Sequence, residues 1–170
     1  GSREDEMFIA LSSLPDDYYV FHSFVLISNT EGILRESETD FVIFHSKKGI
    51  LCLEAKAGHV YCVQGTWYYG SGLKMRHGGP FRQADMNKWK LQKYFEEKGM
   101  ADVWEKCKTL HAVWFPSINK AELNRIQFPS DGDKSITLTE ESLVSIEKDI
   151  DRIFDIEFPS KVETQYLKLK

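Results

Sequence analysis

Apolar and polar positions along the chain change period several times, and each change marks an element. Residues Glu4 to Leu14 place Met7, Phe8, Leu11 and Leu14 at three- and four-residue spacing, which predicts a short amphipathic helix. Pro15 and the pair Asp16-Asp17 end it. Tyr18 to Ile27 is dense in aromatic and branched residues and predicts a strand. A polar loop with Asn29 and Gly32 leads to two further strands, Thr39 to His45 and Ile50 to Ala57, joined by the hairpin signal Ser46-Lys47-Lys48-Gly49. A second hairpin is expected from Val60 to Val63 and Thr66 to Tyr69, turning at Gln64-Gly65. After a glycine-rich loop, Phe81 to Lys98 is the longest helix candidate, with Ala84, Trp89, Leu91, Tyr94 and Phe95 for its buried side and Gly99 as its stop. Leu110 to Phe115 reads as a strand, Lys120 to Ile126 as a weaker helix and Ser135 to Leu138 as a short strand. Glu140 to Phe154 reads as a last helix capped by Thr139. The order predicts an α/β domain, a mixed β-sheet flanked by helices, with Trp89, Trp104 and Trp114 in its core.

Bulk properties narrow the class. The chain has 170 residues, 42% hydrophobic and 28% charged, as in an ordinary globular domain. No apolar run approaches the roughly 18 residues that span a bilayer, so no membrane role is expected. Gly1-Ser2 reads as an expression remnant, so residues 3–170 are expected to form one domain cut from a longer protein. Cys52, Cys62 and Cys107 form no CxxC pair, which favours a reducing, cytoplasmic compartment. A net charge of −4 argues against a sequence-independent grip on nucleic acid by the whole surface. A local basic run does exist: Lys74, Arg76, Arg82, Lys88, Lys90 and Lys93 are opposed only by Asp85. Lys74, Arg76, Arg82 and Lys90 are its candidate nucleic-acid contacts, although such a run also reads as a solvated helix face.

The chemistry sits inside the hairpin Thr39 to Gly58. Charged groups are seldom buried unless paired or metal-bound, yet Asp40, Glu54 and Lys56 lie within strands that otherwise read as apolar. Side chains alternate faces, so Glu54 and Lys56 project together. An antiparallel turn at Lys47-Lys48 brings Asp40 roughly opposite them. Two hard carboxylates on rigid strands describe a Mg²⁺ or Mn²⁺ site, and an adjacent ammonium suits phosphodiester cleavage. An E-x-K triplet alone reads first as a cross-strand ion pair. D-x13-E-x-K between strands this apolar moves the balance toward function.

Asp40, Glu54 and Lys56 resemble the PD-(D/E)xK nuclease signature, and the surrounding sequence resembles the nuclease-related domain, NERD. "LPDDYYVFHSF", "TDFVIFHSKKGILCLEAKAG", "TWYYG" and "PFRQAD" stand in that family's order. "HAVWFPSI" and "TLTEESL" are similar to segments of NERD proteins that carry a superfamily 1 helicase. The resemblance implies a restriction-endonuclease-like sheet. It also implies Asp40 and Glu54 as metal-binding acids, with the Ala55 carbonyl as a further ligand, and Lys56 as the catalytic lysine. Gln83 matches a supporting glutamine, and also reads as a plain helix-start residue. Glu4 matches the family's N-terminal metal-contacting glutamate, although Arg3 stands where that family has glycine. Thr39 replaces the signature's proline.

Two functions are expected from this. One is a Mg²⁺- or Mn²⁺-dependent nuclease acting on DNA, with RNA left open. The other is a non-catalytic module that binds nucleic acid or a partner for a fused or associated helicase; fold resemblance alone does not decide between them.

Overall fold

The computed structural model describes residues 3–28 and 34–157, with the side chains of residues 24–37 outside that set. The polar loop expected at Asn29 and Gly32 lies outside the described residues. Helix α1 (Glu4–Ser12) leads into an antiparallel meander of β1 (Tyr18–Ser28), β2 (Leu34–His45) and β3 (Gly49–Lys56). A separate hairpin follows, β4 (Val60–Val63) and β5 (Thr66–Tyr69). Then come α2 (Pro80–Glu97), α3 (Ala101–Lys106), β6 (Thr109–Trp114), α4 (Lys120–Leu123), β7 (Thr137–Leu138) and α5 (Ile146–Phe154). The main sheet runs β1-β2-β3-β6-β7, with β6 parallel to both β3 and β7. Returning parallel to β3 requires a crossover, and α2 with α3 supplies it.

Every residue of β3 is buried, because helices cover both of its faces. On one face Leu51, Leu53 and Ala55 pack with Phe41, Ile43 and Trp114, under Met7 and Leu11 of α1 and Ile150 and Ile153 of α5. On the other, Val113 and Phe115 pack with Phe81 and Ala84 of α2 and Val60, Trp67 and Tyr69 of the hairpin. Each fully buried Leu, Ile or Phe stabilises the fold by about 1.5–3 kcal/mol over its exposed state. Two glycines make the close approaches. Gly49, at φ 121°, opens β3 where any Cβ would sit 2.1 Å from the Lys108 carbonyl oxygen. Gly79, at φ 99°, starts α2 where a Cβ would lie 2.6 Å from Trp67 Cδ1.

Several expectations need correction. Trp89 and Tyr94 are exposed, 58% and 52%, because α2 buries only its first turns through Pro80, Phe81, Gln83 and Ala84. Trp104 and Trp114 are in the core as expected. Phe8 is largely exposed, and α1 instead buries Met7, Ala10 and Leu11. The helix expected from Glu140 is broken. Residues Glu140–Leu143 form a 3-10 turn, and the α-helix starts only at Ile146. Hydroxyls divert the backbone there: Ser142 Oγ takes the Thr139 N–H at 3.1 Å, and Ser145 Oγ donates to the Glu141 carbonyl at 3.1 Å. β7 is halved by a 3-10 turn at Lys134–Ile136, which the Asp133 carboxylate caps through the Ser135 N–H. Helix α3 carries one buried residue, Trp104, which packs edge-on against Phe95 at 5.4 Å.

Candidate active site

The register of β2 on β3 sets the site. Asp40 pairs with Glu54, and the next same-face pair along is Glu38 with Lys56. Lys56 therefore has its own cross-strand carboxylate, Glu38, while Asp40, expected roughly opposite both Glu54 and Lys56, faces Glu54 alone. Helix α2 crosses this face of β3, and Gln83 and Asn87, one turn apart, point back at the four charged side chains.

Lys56 is fully buried. Its ammonium donates to the Glu38 carboxylate and, at 2.9 Å, to Gln83 Oε1. Glu38 also accepts from Arg76 Nη2 at 2.7 Å and from the Tyr69 hydroxyl at 3.3 Å. Arg76 reaches Glu38 because its neighbour Met75 is anchored in the hairpin cluster and donates its N–H to the Trp67 carbonyl at 3.0 Å. Asn87 Nδ2 donates to Asp40 Oδ1 at 3.1 Å and to Glu54 Oε2 at 3.3 Å. The other Glu54 oxygen, Oε1, lies 3.0 Å from Lys56 Nζ but off the hydrogen-bonding direction, so it is buried with no hydrogen bond.

Burial, and then the hydrogen bond with Asp40, push the Glu54 carboxyl up to about 10. It therefore keeps a proton at neutral pH. Burial also works against ionisation of Glu38, but Lys56 and Arg76 outweigh it and hold Glu38 below the usual carboxylate range. Lys56 is raised: burial opposes its charge, and the carboxylates of Glu54 and Glu38 overcome that. With Glu54 protonated, Glu38 is the formal counter-ion of Lys56 at pH 7. Burial pushes the neighbouring Cys52 thiol up to about 12, leaving it unreactive.

Asp40, Glu54, Lys56 and Gln83 are thus brought together. Ala55 lies between the acid and the lysine on β3, its side chain in the opposite core. Glu4 sits elsewhere, with Oε1 3.7 Å from His22 Nε2. Strand β1 pairs His22 with Phe41, on the face away from Asp40. Among the described residues no three His, Cys, Asp or Glu side chains converge as a metal cluster, so Glu4 does not join the two acids. Of the basic candidates, Arg76 is in the site, while Lys74, Arg82 and Lys90 are exposed and make no ion pair with its acids. Glu38 and Asn87 were missed from sequence. Each carried a signal: Glu38 is two residues before Asp40 on the same strand face, and Asn87 is four after Gln83 on the same helix face.

A family model described as the nuclease-related domain, NERD, matches residues 1–116. The chain belongs to the nuclease-related domain family. The NERD match spans α1 through β6 and so includes every residue of the site. The five-stranded mixed sheet between helices agrees with a restriction-endonuclease-like fold. No curated protein and no solved structure matches the chain. Membership of the NERD family suggests a nuclease-related function. Among the described residues no helix is long and apolar enough to cross a membrane.

Proposed function

We propose that this domain is a Mg²⁺- or Mn²⁺-dependent nuclease that hydrolyses DNA phosphodiester bonds. One observation carries the reading: Asp40 and Glu54 face each other across neighbouring strands, and the Asn87 amide N–H₂ group lies against both carboxyls. Hard oxygens that accept a positive dipole in place of a cation fit a small divalent ion. Asp40 and Glu54 would hold it, with the Ala55 carbonyl and water completing the shell. A bound divalent ion would supply polarisation of the phosphoryl oxygen and a more acidic water. Lys56, fixed as an ammonium by Glu38 and Gln83, stabilises negative charge developing on the phosphate and does not accept a proton. Half-buried Asp40 and Asn87 and exposed Arg76 form the rim that a phosphate would meet first.

The test is labelled single- and double-stranded DNA, linear and circular, with RNA in parallel, incubated with Mg²⁺ or Mn²⁺. Divalent-dependent cleavage is expected, falling at least about 10²-fold in folded Glu54→Ala and Lys56→Ala proteins. DNA left equally intact by wild type and both variants under every metal overturns the reading.

A second reading is a non-catalytic nucleic-acid- or partner-binding module for a fused or associated helicase. It is favoured by the complete burial of Glu54 and Lys56, which keeps a phosphate at the rim. Absence of calorimetric Mn²⁺ binding would select it. Under either reading we place the protein in the cytoplasm, supported by its three unpaired cysteines.

A further inference from the structure

We infer that Asn87 is a direct metal ligand, the third protein side chain on the cation that Asp40 and Glu54 hold. The inference rests on the metal-dependent reading above. A Mg²⁺ or Mn²⁺ ion takes about six oxygens, and the strands offer two carboxylates. The side chain closest to both is neither Glu4 nor Gln83. Glu4 lies beside His22, and Gln83 spends its oxygen on Lys56 at 2.9 Å. It is Asn87, whose Nδ2 lies 3.1 Å from Asp40 Oδ1 and 3.3 Å from Glu54 Oε2.

Two oxygens side by side on a Mg²⁺ or Mn²⁺ ion, each about 2.1 Å from it, stand about 3 Å apart, so an atom 3.1 and 3.3 Å from the two carboxylate oxygens is where a third ligand would lie. Without a cation between the acids, the amide turns its partially positive N–H₂ group to them, since a carbonyl oxygen facing two acceptors would be repelled. The two ends of a carboxamide are nearly the same size, and one rotation about the Cβ–Cγ bond exchanges them. A cation between the acids reverses the preference: N–H₂ is repelled, and Oδ1 becomes a hard neutral ligand. Asn87 is held close enough for this because it lies one turn after Gln83, whose bond to Lys56 pins that face of α2 to β3. Asn87 would thus be a donor in the metal-free site and a ligand in the loaded one.

A purely structural Asn87 has the opposite signature. If it only clamps the acids, removing it frees two carboxylates and Mn²⁺ binds as well or better. The experiment is calorimetric Mn²⁺ titration of the full chain, wild type against Asn87→Leu, with the number of Mn²⁺-bound waters counted by resonance in ¹⁷O-water. Asn87→Leu is expected to weaken Mn²⁺ binding about 10- to 100-fold, the range seen when groups around a metal site are removed, and to add one bound water. Unchanged or tighter binding, or an unchanged water count, overturns the assignment while leaving the metal site intact. Wild type that binds no Mn²⁺ removes both the assignment and the metal reading. Should Asn87→Leu not fold, Asn87→Asp decides: a third carboxylate at a ligand position tightens Mn²⁺ with the wild-type water count. Loss of one bound water there, with the aspartate taking a place that Asn87 did not hold, or Mn²⁺ binding that is not tightened, overturns the proposal.

Discussion

Glu38 turns the E-x-K lysine from a loose cation into a fixed one. Its carboxylate faces Lys56 across the strand pair and also holds Arg76 and Tyr69, so three donors depend on one acid. Removing one partner of a buried ion pair leaves the other charge uncompensated. Glu38→Ala is therefore expected to cost about 3–5 kcal/mol in urea unfolding. Arg76→Ala removes a partner whose side chain is 55% exposed, and about 1 kcal/mol or less is expected. Equal losses for the two variants would show that Glu38 is not the organising acid. The sequence made Asp40, Glu54 and Lys56 legible because period-two alternation and a short turn fix which side chains share a face. Glu38 escaped because the apolar alternation of this strand starts only at Thr39, whereas its pairing with β1 extends back to Leu34. Asn87 escaped for another reason: a polar residue on a helix declares itself only once its facing surface is known.

Among the elements, strands were more legible than helices. The second hairpin has its expected span, and the first has its expected turn and, within one residue, its second strand, because alternation and glycine turns are local signals. Gln64 at φ 49° and Gly65 at φ 81° make the tight turn that joins β4 to β5. Helix α2 was found, but its buried face was misread. Aromatic residues at helical spacing resemble a core stripe, yet its later turns run past the part of the sheet that the first turns cover. Trp89 lies in the open with the Lys88 ammonium 5.8 Å from its ring, whereas Trp114 is fully buried and donates to the Thr139 carbonyl at 2.9 Å. In denaturant titrations Trp89→Ala should stay within about 0.5 kcal/mol of wild type. Trp114→Ala should lose about 3–5 kcal/mol. A large loss at Trp89 would mean that something covers α2 in solution.

For the molecule as a whole, the site links folding to pH. Glu54 has its carboxyl raised from 4.5 to about 10 on folding, so between those values the native state holds a proton that the unfolded chain has lost. Its contribution to stability is complete below about pH 4.5 and drains away as the pH climbs toward 10. Between pH 7 and 9 the metal-free protein should therefore lose stability, and Glu54→Gln should flatten that slope in urea midpoints. A wild-type midpoint that rises over this interval contradicts the assignment. Divalent ions should reverse the trend, because binding expels the proton, which calorimetry in buffers of different ionisation enthalpy would count. The complete enclosure of Lys56 has a last consequence. An amine-reactive reagent will modify the surface lysines quickly, but it can reach this one only when α2 lifts from β3. The rate at which Lys56 acquires label is thus a clock for the breathing of the site, read by mass spectrometry with no substrate present.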